Sequence, residues 1–175
     1  MKMKSKKLRN VCYSLLAIFL LGFLIPQNLE MPVEGGNKNS YHPQSFWHGG
    51  WGSSVVHKGV DIFAKKGTPV HSATQGMVLW TGNLGKGGNC VLVLGPKWRL
   101  HYYAHLNEIK TSAFTPVSKN SVIGTVGNTG NAKNTPSHLH YSVATCVPYP
   151  WRIDDSTQGW MKMFYLNPIE YLNEN

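Results

Sequence analysis

The sequence has few acidic residues and little cysteine. Its 175 residues include only 8 Asp and Glu against 17 Lys and Arg, which gives a net charge of +9, and only 3 Cys. No C-x-x-C pattern occurs, which argues against a zinc site built from cysteines. There is no internal repeat and no basic stripe with interleaved aromatic residues, so the sequence does not predict a nucleic-acid-binding protein.

The positive charge is concentrated at the N-terminus. Five basic residues fall within the first ten positions, and an apolar run follows from Val11 to Ile25, closed by Pro26. A basic flank before an apolar stretch is the pattern of an export segment. Residues 1–26 are either a signal peptide or an uncleaved hydrophobic signal anchor. No small-residue cleavage site follows the run, which favours the anchor. After this segment, 12 basic and 8 acidic residues leave a charge of only +4.

This leader sets the expected compartment. The positive-inside rule places the basic flank in the cytoplasm and everything after Pro26 outside it. We therefore expect the protein in the cell envelope, on the periplasmic or extracellular side, either secreted or anchored in the inner membrane through residues 1–26. In that compartment Cys90 and Cys146 can be oxidised. The alternatives are a disulfide between them or two buried free thiols.

The remainder of the sequence predicts a mainly β protein. It lacks a long stretch of helical periodicity, and short apolar runs rich in β-branched and aromatic residues alternate with glycine-marked turns. The predicted strands are residues 76–81, 90–94, 100–106, 121–126 and 138–144. Asn167 before Pro168 predicts the start of a short helix. We expect a compact antiparallel β domain over residues 46–175, as one closed sheet or two sheets, with residues 27–45 as a linker or wrapped arm.

Two pairs of candidate metal ligands lie in this region. His57 and Asp61 are four residues apart, and His138 and His140 are two apart. In a strand, residues two or four apart share a face, so each pair can point into one groove while Leu139 faces the core. Imidazole and carboxylate groups suit Zn²⁺, and a catalytic zinc ion takes three protein ligands and keeps one position open. The pattern therefore leaves a histidine over for proton transfer.

Four segments, in order, resemble the motifs of the lysostaphin-type zinc endopeptidases of peptidase family M23. Residues 57–70 resemble the H-x-x-x-D motif that leads into G-T-P-V, and residues 102–106 resemble a Y-x-H-L strand. Residues 124–130 resemble a G-x-x-G-x-T-G turn, and residues 137–141 resemble H-L-H-[FY]. The resemblance covers roughly residues 46–147, and it implies the compact antiparallel β domain of the lysostaphin-like peptidases.

The resemblance also implies roles for individual residues. His57, Asp61 and His140 match the metal ligands, which implies one Zn²⁺ per chain, and His105 and His138 match the two catalytic histidines that do not bind metal. The implied activity is hydrolysis of peptide cross-links or stem peptides of bacterial peptidoglycan. The alternative is a non-catalytic member of the fold that regulates another envelope hydrolase or serves as its scaffold.

Further expectations concern the surroundings of the site. The four other histidines match no motif position and are expected at the surface or in loops: His42, His48, His71 and His101. His101 shares strand parity with Tyr103 and His105, so it is also a candidate to line the groove. Gly59 is expected to let the backbone pass close to the site. Four aromatic residues are candidates to flank the groove or to fill the core: Phe46, Trp47, Trp51 and Tyr141.

Overall fold

The computed structural model describes residues 2–50 and 54–173 of the chain. Helix α1 spans Lys2–Gly22 and helix α2 spans Pro168–Leu172. The strands are β1 (Val60–Phe63), β2 (Pro69–His71), β3 (Gly76–Asn83), β4 (Asn89–Gly95), β5 (Arg99–Leu106), β6 (Glu108–Ile109), β7 (Pro116–Val117), β8 (Val122–Thr125), β9 (His138–Thr145) and β10 (Tyr165–Leu166). The five predicted strands correspond to β3, β4, β5, β8 and β9. Asn167 caps α2 by accepting a hydrogen bond from the Ile169 amide at 3.1 Å, as predicted.

The described strands form two antiparallel sheets. The larger sheet has the order β1-β9-β5-β4-β3-β7, with β10 paired to the C-terminal part of β9, and the smaller has the order β2-β8-β6. In the larger sheet Asp61 lies opposite His140 and Phe63 lies opposite His138. Ala104 pairs with His140 on the other side of β9. Three of the four sequence motifs therefore meet on neighbouring strands.

Both sheets contribute to one hydrophobic core. Its members from the larger sheet include Val60, Ile62, Val78, Val91, Val93, Tyr103, Leu139, Tyr141 and Val143, and its members from the smaller sheet include Val70 and Ile123. Leu139 is fully buried, as strand alternation predicts for the residue between His138 and His140. The two histidines are thereby directed to the opposite face of β9.

Residues 27–45 pack along this domain. Leu29 and Val33 are both 1% exposed, and Val33 forms an antiparallel bridge with Val70 of β2. The Gln27 amide nitrogen lies 2.9 Å from Nε2 of His101. Tyr41 donates a hydrogen bond to the Asn173 side chain at 2.7 Å, near the C-terminus. Of the two sequence interpretations, this packing agrees with a wrapped arm, while the domain boundaries stay a prediction.

Helix α1 covers most of the predicted leader. Its Phe19 ring stacks on Trp98 with the centroids 5.8 Å apart, and the Trp98 indole donates to the Phe19 carbonyl at 2.8 Å. None of the described helices combines the length and the apolar character needed to span a membrane. The signal-peptide and anchor interpretations both stay predictions.

The structure contradicts the disulfide between Cys90 and Cys146, and the alternative of two buried free thiols holds for Cys90 only. Cys90 and Cys146 are both free, the first buried and the second exposed. Cys90 follows Asn89, the first residue of β4, which pairs with Leu106 at one end of β5. Cys146 follows Thr145, which pairs with Arg99 at the other end of β5. Strand β5 therefore lies between them, and its eight residues extend over about 26 Å at about 3.3 Å per residue. Disulfide-bonded cysteines need Cα atoms within about 7 Å.

Candidate metal centre

Strands β1 and β9 bring the three predicted ligands together. His57 Nε2 lies 3.1 Å from Asp61 Oδ1 and 3.0 Å from His140 Nδ1, and the last two atoms are 2.8 Å apart. His57 is buried, and Asp61 and His140 are partly buried. Among the described residues, this is the one group of three or more histidine, cysteine or acidic side chains whose ligand atoms are close enough to hold a metal ion.

The chemistry of this donor set fits a metal ion. His57 Nδ1 lies 3.1 Å from the Ser45 carbonyl oxygen, so Nδ1 carries the proton in the neutral ring and Nε2 presents a lone pair. That lone pair faces both a carboxylate oxygen and His140 Nδ1, and such an arrangement is stabilised by a cation between the three atoms. A triangle with sides of about 3.0 Å has corners roughly 1.7 Å from its centre, and zinc–ligand bonds of about 2.0–2.2 Å reach all three corners from one side.

The electrostatics favour the ligand forms of these groups. Burial alone raises the pKa of the Asp61 carboxyl, but the hydrogen-bonding and electrostatic interactions with the adjacent His140 and His57 rings together hold that pKa well below its usual range. Burial lowers the pKa of His140, and Asp61 offsets this only in part. At neutral pH the cluster therefore offers a carboxylate and a neutral imidazole, the protonation states that metal binding requires.

His105 and His138 lie beside the cluster. The His105 ring centroid is 5.1 Å from that of His138 and 6.0 Å from that of His140. His105 Nδ1 lies 3.0 Å from the Thr129 carbonyl oxygen and His138 Nδ1 lies 2.8 Å from the Pro136 carbonyl oxygen. In the neutral rings Nδ1 is thus the donor and Nε2 the acceptor. Burial, together with the neighbouring His140 and His138, lowers the pKa of His105 to about 4.

A backbone irregularity turns His105 into the groove. Tyr103 and Leu106 of β5 are buried in the core, whereas Ala104 and His105 both line a cleft beside the cluster. Regular alternation would have placed His105 on the core side with Tyr103. The φ angle of +62° at His105 breaks the alternation. A left-handed conformation costs a residue other than glycine roughly 1–2 kcal/mol, and here it occurs at a site residue.

The expectation for His101 is wrong. Its side chain is fully buried rather than at the surface or in the groove, and its Nδ1 lies 2.7 Å from the Tyr141 hydroxyl oxygen. Tyr141 is likewise a core residue. Among the described residues, Tyr102 is the tyrosine, phenylalanine or tryptophan that lines the first cleft, and its parity on β5 is opposite to that of Tyr103. No motif position marks Tyr102, although strand alternation could have indicated its face.

The other surrounding residues fall into two groups. Three histidines lie at least partly at the surface, as expected: His42, His48 and His71. Phe46 packs against the core, and the Trp47 indole donates to the Thr157 carbonyl at 3.0 Å, so neither lines the groove. Trp51 lies outside the described residues.

Gly59 allows the close approach of β1 and β9 that the site needs. A Cβ atom on Gly59 would lie 2.5 Å from the Tyr141 carbonyl oxygen and 2.9 Å from Cε1 of the His140 ring. Both distances are shorter than real Cβ contacts. The expectation that the backbone passes close to the site at this glycine is confirmed.

Two clefts open on either side of the cluster and share His105, Asn131 and His140. The first cleft has a volume of about 200 Å³ and is lined in addition by Ser54, Lys86, Gly87, Tyr102 and Ala104. The second cleft has a volume of about 190 Å³ and is lined in addition by Asp61, Ala132, Thr135 and His138. Because they share these three residues, the two clefts adjoin each other at the candidate metal centre, and together they are called the groove here. Asn131 and Lys86 belong to turns and carry no sequence signal for a role in this groove.

Comparison with known proteins agrees with this arrangement. Residues 55–149, more than half of the chain, match the sequence profile of Peptidase family M23. An L-Ala--D-Glu endopeptidase of Bacillus subtilis is 36% identical over 117 residues, which cover 61% of this chain and 35% of that relative. Peptidoglycan DD-endopeptidase ShyA of Vibrio cholerae is 36% identical over 87 residues, which cover 50% of this chain and 20% of that relative. The chain spans about a third or less of the length of these relatives.

The fold has a solved counterpart. The catalytic domain of lysostaphin from Staphylococcus simulans superimposes with a TM-score of 0.60 at 24% sequence identity, over 77% of this chain and 94% of that domain. The four motifs seen in the sequence thus lie in a lysostaphin-like fold. From the profile match and this fold we conclude that the chain belongs to peptidase family M23.

Proposed function

We propose that this protein is a zinc-dependent endopeptidase that hydrolyses peptide bonds in the cross-links or stem peptides of bacterial peptidoglycan. The observation that carries the proposal is the convergence of the His57, Asp61 and His140 donor atoms in a groove that also holds His105 and His138. The substrate class is supported by relatives that are named as an L-Ala--D-Glu endopeptidase and a peptidoglycan endopeptidase.

We assign one Zn²⁺ per chain to His57, Asp61 and His140. Three protein ligands of this kind are the usual set of a catalytic zinc site. When bound, the ion supplies a Lewis acid that polarises the scissile carbonyl and makes water a better nucleophile at neutral pH. The Ser45 carbonyl holds the outer nitrogen of His57, which fixes the orientation of that ligand.

His105 and His138 are proposed as the two catalytic histidines. One neutral ring accepts the proton of the attacking water at Nε2 and returns it to the leaving amine. The other ring, in the form that carries a proton at Nε2 as well as at Nδ1, donates a hydrogen bond to the developing oxyanion. The low pKa of His105 keeps its Nε2 unprotonated at neutral pH. The carbonyls of Thr129 and Pro136 hold the Nδ1 side of each ring and so direct Nε2 away from the backbone.

We further propose that residues 1–26 export or anchor the chain and that residues 46–175 act in the cell envelope, outside the cytoplasm. The basic flank and the apolar run support export. Residues 27–45 would then join the leader to the peptidase domain while packing on its surface. This location gives the enzyme access to peptidoglycan.

Digestion of purified peptidoglycan by the full chain tests the proposed function. We expect new amino and carboxyl termini, identified by mass spectrometry, and loss of these products after treatment with a zinc chelator or in a His140→Ala variant. Persistent inactivity of the zinc-loaded protein on several cross-link types would contradict the proposal. If the His140→Ala variant kept the cellular function of the protein, the result would instead favour the non-catalytic alternative, a regulator or scaffold.

A further inference from the structure

We propose that the first cleft selects a peptide with a free carboxylate close to the scissile bond and that Lys86 binds this carboxylate. The inference rests on the proposed function and names a feature of its substrate. Lys86 lines the same cleft as His105 and His140. A carboxylate held there would lie within the peptide that the candidate metal centre cleaves.

The two clefts differ in charge, which gives the groove a direction. Apart from the histidines, Lys86 is the one side chain with a formal charge among the described residues of the first cleft. The second cleft has Asp61, which we assign to the metal ion, and otherwise uncharged side chains such as Thr135. An anionic substrate group is therefore favoured on the side of Lys86 over the side of Thr135.

The turn that carries Lys86 is fixed relative to the catalytic machinery. Lys86 lies in the 3₁₀ turn Gly85–Gly87, which packs against Gly130 so closely that a Cβ atom there would overlap the Lys86 carbonyl oxygen. Asn89, the second residue after this turn, donates its amide hydrogen to the Thr129 hydroxyl at 2.9 Å. The Thr129 carbonyl in turn holds His105. One segment thus positions both the lysine and the catalytic histidine.

Neutral hydrogen-bonding groups accompany the ammonium group. Tyr102, Asn131 and Ser54 line the first cleft together with Lys86. Burial is the main cause that raises the pKa of Tyr102 well above its usual value, so its hydroxyl stays protonated. An ammonium group beside hydroxyl and amide donors is suited to a carboxylate, which accepts several hydrogen bonds and prefers charged donors.

The test compares two forms of one substrate. Peptidoglycan is digested before and after its free carboxyl groups are converted to amides by carbodiimide coupling with ammonia. On the untreated material we expect Lys86→Gln to lower kcat/KM about fivefold, the size expected for an exposed charge pair, and Lys86→Arg to keep most of the activity. On the amidated material the difference between Lys86→Gln and the wild type should disappear. Lys133→Gln, which removes a lysine that lines neither cleft, is the matched control and should behave like the wild type.

The outcomes separate this inference from the proposed function. An equal loss for Lys86→Gln on both substrates, or no loss on either, would overturn the inference while leaving the peptidase activity in place. Absence of cleavage by the wild-type protein would instead contradict the proposed function. Binding is measured independently by calorimetry with a soluble muropeptide in a His105→Ala background. In this background Lys86→Gln should raise the Kd of the muropeptide with free carboxyl groups about fivefold and leave the Kd of its amidated form unchanged. An unchanged Kd for the muropeptide with free carboxyl groups would also overturn the inference.

Discussion

At the scale of single residues, the candidate site depends on two departures from regular strand geometry. His105 faces the groove because its φ angle of +62° breaks the alternation of β5. Gly59 lets β1 approach the His140 ring because it has no side chain. Both features position site residues that ordinary pleated strands would have placed elsewhere.

The proposed ligands and the proposed catalytic histidines should separate in a metal-binding assay. His57→Ala or Asp61→Asn removes one of three converging donor atoms, so we expect zinc affinity to fall at least tenfold. His105→Ala should keep zinc binding and lose hydrolysis, because its ring lies beside the cluster rather than within it. Chelator competition and peptidoglycan digestion measure the two properties. Equal zinc loss in His105→Ala would show that the ligand assignment is wrong.

Gly59→Ala should disturb the site through sterics alone. The new methyl group would overlap the Tyr141 carbonyl oxygen and the His140 ring, so we expect a loss of about 1–3 kcal/mol in the free energy of unfolding and weaker zinc binding. Gly49→Ala is the matched control, because a Cβ atom there meets nothing within 4 Å. Urea denaturation and chelator competition compare the two. Similar behaviour of both variants would argue against the steric role of Gly59.

At the scale of structural elements, residues 27–45 pack against the β domain. Leu29 and Val33 are as buried as residues of the central strands. Gln27 contacts both Arg99 and His101 of β5, and His101 contacts Tyr141 of β9. A chain of buried and partly buried polar contacts therefore joins the arm to the two strands that carry His105 and His140.

Truncation of a buried arm residue should destabilise the whole domain. Leu29→Ala should lower the free energy of unfolding by about 2–5 kcal/mol, the usual range for a core leucine. Leu24→Ala, at a leucine that is 75% exposed, should change it by less than about 0.5 kcal/mol. Denaturant unfolding of the full chain provides both values. A negligible effect of Leu29→Ala would mean that the arm does not contribute to the stability of the folded domain.

The buried His101 should make stability depend on pH. Burial first, and the nearby Arg99 second, lower the pKa of His101 to about 3, whereas an unfolded histidine titrates near 6.5. Between these values the unfolded state binds more protons, so the free energy of unfolding should fall as the pH decreases, by up to about 1.4 kcal/mol per pH unit. Above pH 6.5 this contribution is fully present.

Comparison with a variant isolates the contribution of His101, since other histidines also titrate. Between pH 6.5 and pH 4, the free energy of unfolding of the His101→Gln variant should depend less steeply on pH than that of the wild type. This comparison of slopes holds whatever the absolute stability of the variant. His42→Gln, at an exposed histidine, is the control and should keep the wild-type slope. Identical slopes for His101→Gln and the wild type would contradict the prediction.

At the scale of the whole molecule, strand order decides which distant residues meet. The order β1-β9-β5 brings together His57, His140 and His105, which are far apart in the sequence. The same order separates Cys90 from Cys146 by the length of β5. The same strand order therefore brings the site residues together and keeps the two cysteines apart.

Thiol chemistry should reflect this topology. In the native chain we expect iodoacetamide to modify Cys146, which is exposed, and to reach buried Cys90 only after unfolding. The intact mass and the melting temperature should be the same with and without a reductant. If iodoacetamide failed to modify Cys146 until a reductant was added, and reduction increased the intact mass, a disulfide would form despite the separation of the strands.

The sequence by itself determined the local features of this protein. Apolar alternation and glycine-marked turns located β3, β4, β5, β8 and β9, and the Asn-Pro pair located the start of α2, because these signals act between near neighbours in the chain. The spacing of the two candidate ligand pairs also indicated that each pair shares one face of a strand, since it follows strand periodicity. The motifs that resemble family M23 pointed to the same residues.

Only the tertiary structure decided how these features combine. The division into two sheets, the burial of Leu29 and His101, and the free state of Cys146 depend on contacts between residues far apart in the sequence, which strand periodicity does not encode. The groove face of His105 depends on one left-handed residue that alternation cannot anticipate. The sequence thus named the chemical groups, and nonlocal packing set their positions.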